Sequence, residues 1–198
     1  TYLVGAIFLY LISRLLRGGK RRWAFLFPAM MVLWVNSHGT FPLGIFFTGL
    51  WLGQEGWDYF RGKRDRRDNS KASGVLFAGM IFILTLLACL INPRGWGVIE
   101  YLQSLLGNSV VQNLVAEWAP PTLETLEGRL FAGALLLTAV MLAISPRRAS
   151  FYQIFSFLGV ASLALFTSRG IVWFGIVTAA LITEHSLALI NELSKNRK

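Results

Sequence analysis

Apolar residues in this chain come in blocks, not in alternation with polar ones. Residues 2–16 (YLVGAIFLYLISRLL), 23–54, 74–91 (GVLFAGMIFILTLLACLI), 130–144, 151–166 and 171–190 are dominated by aliphatic and aromatic side chains, and most of the charge lies between them. Such blocks approach the ~17–25 residues that cross a bilayer core. A soluble helical bundle needs a polar face on most of its helices, yet residues 74–91 offer one threonine and no charged residue. The pattern predicts an all-α fold: a polytopic integral membrane helix bundle of about seven membrane segments, with the 23–54 block counted as two.

That division follows from charge. Arg14, Arg17, Lys20, Arg21 and Arg22 precede the 23–54 block, and Arg61, Lys63, Arg64, Arg66, Arg67 and Lys71 follow it. Basic loops stay on the cytoplasmic side. One continuous helix would separate the two clusters, whereas a broken hairpin turning within 34–44 (WVNSHGTFPLG) keeps both inside. Gly39 and Pro42 suit a break followed by a fresh helix start, and Gly49 with Gly53 forms a GxxxG face on the returning arm. The arm 23–35 holds 13 residues, about 20 Å of helix against a core of ~30 Å. The turn is therefore expected below the outer surface, where irregular backbone is buried in protein or lines a wet cavity.

The span 74–91 runs outward and stops at the NPRG turn of 92–95. Residues 92–129 form an extracytoplasmic loop whose 96–117 stretch reads as an interfacial helix, broken at Gly107 and Asn108 and closed by the extended WAPP of 118–121. Residues 130–144 descend to Arg147 and Arg148, 151–166 ascend to a short turn at 167–170, and 171–190 descend again. Of the 19 Lys and Arg residues, Arg94, Arg129 and Arg169 fall outside in this topology. The chain reads as a single multi-pass transmembrane domain, 1–198, of the inner (plasma) membrane, and, opening within an apolar block, as part of a longer polypeptide.

A net charge of +9 set between apolar blocks fits membrane lipids as partners and not nucleic acid. Cys89 stands alone, so no internal disulfide forms, and no His or Cys lies at ligand spacing from His38, so no metal is expected. No cofactor motif, Gly-rich phosphate loop, Ser-His-Asp arrangement or paired carboxylate is present, and the catalytic residue stays unassigned.

The outer ends of the helices gather Asn36, Ser37, His38, Asn92, Arg94, Glu117, Ser168 and Arg169. Helix packing brings such turns to one face. His38 either caps its own turn or faces a substrate as a hydrogen-bond donor or proton carrier. Arg169 either anchors to lipid headgroups or holds a phosphate, which its planar fork suits. Glu117 is a base, a partner for an arginine or an ordinary loop carboxylate. His185, beside Glu184, reads as a snorkelling residue near the inner end of the last helix.

The series WVNSHGTFPLG, NPRGW, EWAPP and SRGIVWF resembles, over roughly residues 30–180, the C-terminal half of bacterial multispanning proteins of the GT-C glycosyltransferase type. The resemblance implies a transferase using a polyprenyl-phosphate-linked sugar on the extracytoplasmic side, with Asn36, His38, Asn92, Glu117 and Arg169 as substrate-binding positions. The acidic catalytic residue of that type lies in a first outer loop that these residues do not include. Two alternatives stand beside it: a non-catalytic membrane subunit or scaffold working with other membrane subunits, and a transporter or flippase of a lipid-linked solute. Transport would be favoured by a paired inverted repeat, and none is seen.

Overall fold

A computed structural model describes residues 1–62, 69–107 and 116–195. The described residues are helical, with no strand among them. The α-helices are α1 (Tyr2–Leu16), α2 (Leu26–Ser37), α3 (Pro42–Arg61), α4 (Asn69–Ala88), α5 (Gly97–Gly107), α6 (Leu126–Ile144), α7 (Phe151–Phe166) and α8 (Gly170–Lys195). The chain divides into two compact units, Thr1–Gly107 and Asn108–Lys198.

In the first unit the helix break within 34–44 is present but narrower than expected, leaving 38–41 between α2 and α3. Asn36 Nδ2 and Ser37 Oγ, on the last turn of α2, donate to the carbonyls of Val32 and Leu33, one turn back. His38 then turns extended (φ −165°, ψ 144°), and Pro42 opens α3 in the first turn, where its missing N–H costs nothing. The two arms run antiparallel, with the rings of Phe27 and Trp51 6.0 Å apart and Gly44 facing Trp34. Phe8, Phe27, Met31, Trp34, Phe47, Trp51 and Ile81 form the core against α1 and α4. Gly49 lets α4 approach: a Cβ there would stand 3.3 Å from the Phe82 ring.

In the second unit, Thr125 Oγ1 accepts from the Gly128 N–H and caps α6. A reciprocal cap between Ser150 and Gln153 starts α7. The Gln153 amide does more, since its Nε2 donates to Glu184 Oε2 (2.9 Å) on α8 while its Oε1 accepts from the Ser150 N–H. This ties the start of α7 to the antiparallel α8. Phe131 meets Phe174 edge to face at 5.0 Å, and Val160, Ala164, Trp173 and Leu181 of the same unit are buried.

His185 does not snorkel. It is fully buried, and among the described residues neither ring nitrogen has a hydrogen-bond partner. The helix delivers Glu184 to the polar edge, where Gln153 and Arg147 meet it, and so turns the next residue inward.

Among the described residues, two helices are long and apolar enough to cross a bilayer, Leu126–Ile144 and Gly170–Lys195, while Tyr2–Leu16, Ala72–Ala88 and Phe151–Phe166 are apolar but shorter. The faces turned outward are apolar too, as with Leu76, Leu130, Leu136, Phe166 and Ile190, a surface that water does not favour.

Candidate functional site

The sequence-predicted polar positions fall into two clusters, one in each unit. In the first, Asn36 lies on the last turn of α2, and beyond its bond to Val32 its Nδ2 donates to the carbonyl of Ile91 (2.8 Å). That bond fastens the 38–41 turn to the end of α4. Asn92 organises the turn that follows: its Oδ1 accepts from the Arg94 N–H (2.8 Å), and its Nδ2 donates to the carbonyls of Cys89 (2.7 Å) and Gly95 (3.3 Å). Gly95 takes φ 51°, a left-handed conformation that glycine adopts without cost. The Arg94 guanidinium lies 5.0 Å from the Tyr101 ring centre.

His38 Nδ1 accepts from the Thr40 N–H (3.2 Å). The neutral ring therefore carries its proton on Nε2. Thr40 Oγ1 also stands 3.1 Å from His38 Nδ1 and 2.8 Å from Thr1 Oγ1, and Trp34 Nε1 donates to Thr1 Oγ1 at 3.0 Å. The capping role expected as one reading of His38 is thus in place. Trp34, Thr1 and Thr40 are members of this network that the sequence reading missed, because a tryptophan within an apolar run carries no signal of where its N–H points.

In the second cluster the 117–119 strip lies along the turn that opens α8. Ser168 donates to the Ala119 carbonyl through both its N–H and its Oγ (2.9 Å each), and the Arg169 N–H donates to the Glu117 carbonyl (3.1 Å). Arg169 Nε donates to Glu117 Oε2 (2.6 Å), and the guanidinium stands 5.6 Å from the Trp118 ring centre. With side-chain exposures of 40% and 62%, this pair is screened by solvent and worth at most ~1 kcal/mol. An anion of higher charge can compete for the same guanidinium, which retains the terminal N–H groups that bind a phosphate in a fork.

The structure therefore joins Asn36 to the edge of the Asn92 turn, and Glu117 to Arg169. Among the described residues no group of three His, Cys, Asp or Glu side chains is arranged to hold a metal ion. The expected helix break at Gly107 and Asn108 falls where the description stops, since residues 108–115 lie outside the described residues. The Gln153–Glu184–Arg147 group at the other end of α7 and α8 was absent from the sequence reading, although the spacing of Ser150 and Gln153 is a capping signal legible without a structure. The chain matches no protein-family model, and neither the curated proteins nor the solved structures include a match to it.

Proposed function

We propose that the chain is part of a membrane-embedded transferase of the GT-C kind, binding a polyprenyl-phosphate-linked sugar at the extracytoplasmic ends of its helices, with Arg169 as the phosphate ligand. The observation that carries the reading is the Glu117–Trp118–Arg169 cluster. An exposed arginine, held by a carboxylate and set over an indole, keeps N–H donors for a phosphate and an aromatic face beside it. The reading is also supported by the way the four resembling motifs associate: NSHG touches the residue before NPRG through Asn36, and EWAPP touches SRG.

In this proposal α1, α2, α3, α4, α6, α7 and α8 are membrane segments of a multi-pass inner-membrane protein, with α2 and α3 as a broken hairpin. Outward-facing apolar side chains on α4, α6 and α8 support it. In a Cys89→Ser background, Asn108→Cys is expected to react with an impermeant thiol reagent from outside and Arg66→Cys only after permeabilisation. The reverse pattern would refute the topology.

Arg169→Gln is expected to weaken binding of a polyprenyl-phosphate sugar in nanodiscs by ten- to a hundredfold, the ~1.5–3 kcal/mol of a charge-assisted hydrogen bond, with helicity unchanged. Arg169→Lys recovers part of the loss, because an ammonium keeps the charge without the fork. Glu117→Gln binds at least as tightly as the parent, since it removes the competing carboxylate.

One set of observations favours a second reading, a non-catalytic membrane subunit. The amides of Asn36 and Asn92 bond backbone groups, and Glu117 and Arg169 bond each other. Under that reading Arg169→Gln leaves donor binding as it was and lowers only stability or assembly.

A further inference from the structure

At one end of the first unit, basic and aromatic side chains alternate across three elements. Arg14 and Arg17 close α1, Lys20, Arg21 and Arg22 lie in the connection to α2, and Arg61 ends α3, all solvent-exposed. Three of the guanidiniums rest against rings: Arg21 at 5.7 Å from the Phe77 centre, Arg22 at 5.5 Å from Trp23, and Arg61 at 4.8 Å from Trp57. Arg21 is further oriented by donating through Nη1 to Ser73 Oγ (3.3 Å) at the start of α4. A ring under a guanidinium restrains its plane while leaving N–H edges for a second ligand. Among the described residues of these segments, Glu55 and Asp58 are the acids, and Asp58 accepts from Gln54 Nε2.

The aromatic side chains set the depth. Trp23, Phe25, Trp57 and Phe60 are exposed at the same end. Tryptophan with arginine is the composition of the boundary between headgroups and acyl chains. A soluble acidic partner would call for the arginines but would leave these rings and the apolar faces next to them in water.

We infer that this end of the first unit binds anionic phospholipid headgroups, with Arg21, Arg22 and Arg61 taking the phosphates and Trp23 and Trp57 seated at the acyl boundary. This rests on the membrane-embedded reading, but not on any sugar donor or transfer reaction. A basic patch facing an anionic leaflet gains roughly fivefold in affinity for each Lys or Arg near the surface.

The test uses the whole 198-residue chain in neutral detergent micelles holding equal phosphatidylcholine and phosphatidylglycerol, with the lipid retained after gel filtration quantified by mass spectrometry. The parent is expected to enrich phosphatidylglycerol, and 0.5 M salt to reduce the enrichment in the way that screening requires, about a threefold or larger effect. The triple variant Arg21→Gln, Arg22→Gln, Arg61→Gln should lower the enrichment by at least about tenfold, and the corresponding lysine triple by less. Arg147→Gln with Arg148→Gln, in the other unit, serves as the control for loss of positive charge elsewhere and should leave most of it. Should the glutamine triple fail to fold, Arg61→Gln alone, exposed at a helix end, must lower the enrichment about fivefold. A folded triple or single variant that enriches phosphatidylglycerol like the parent, or an enrichment indifferent to salt, overturns the inference. Micelles do not require the helices to span a bilayer, so this failure is read separately from a failure of the thiol-labelling topology.

Discussion

Trp34→Ala is expected to destabilise the first unit by about 3–5 kcal/mol, the usual cost of truncating a fully buried tryptophan to alanine. The indole has no exposed surface, meets Phe8 edge to face at 5.7 Å, and lies against Gly44 at the top of the α2–α3 hairpin. Its N–H reaches Thr1 Oγ1 (3.0 Å) and Thr40 Oγ1 (3.3 Å), so one side chain fills the core and also satisfies the turn. Trp34→Phe should separate the two contributions. It keeps most of the ring volume and loses the N–H, and because the two threonine hydroxyls still pair with each other at 2.8 Å, the loss of that bond itself should amount to about 1 kcal/mol. Leu33→Ala, next to it in the chain but 64% exposed, is the control and should change little in detergent. Denaturant titration in micelles, followed by helical circular dichroism, measures all three. If Trp34→Ala costs no more than Leu33→Ala, the packing described for the hairpin is wrong.

The other large effect is expected at Gly170, where α8 leaves the turn after α7. A Cβ on this residue would lie 2.5 Å from the Ala164 nitrogen and 2.6 Å from its Cα, a clash with backbone that cannot rotate away. Gly170→Ala therefore forces the end of α7 and the start of α8 apart, at about 3 kcal/mol, the upper part of the range for overpacking. Arg169, adjacent in the chain, should lose its alignment with Glu117 at the same time. Gly175→Ala is the informative comparison. No atom lies within 4 Å of a Cβ there, and in a helix interior alanine gains about 0.5–1 kcal/mol over glycine. The two alanine variants should thus move stability in opposite directions. Equal stabilities would refute the close approach at Gly170.

Local chemistry made several parts of this protein legible beforehand. The limits of α1 and α7 agree with the apolar blocks 2–16 and 151–166, because charge or a capping serine borders each one. Pro42 marks the start of α3 because a residue without an N–H fits the first turn of a helix and not its interior. An all-helical chain follows from the absence of polar faces in blocks such as 74–91.

Partners across the chain could not be read in the same way. That Arg169 bonds Glu117, 52 positions away, and Asn36 bonds the carbonyl of Ile91, 55 positions away, depends on which turns the packed helices bring together, and no local pattern encodes those distances. The neighbourhood of His185 shows the same division. Its position near the inner end of an apolar block suits a side chain reaching out toward water, yet the phase of α8, set by Gln153 and Arg147 drawing Glu184 to the edge, turns the imidazole into the core. The sequence by itself determined the blocks, their ends and the break, since each depends on residues within a few positions. Tertiary packing alone decided which face of each helix is buried and which polar groups meet, since helical phase is settled only by contact with another helix.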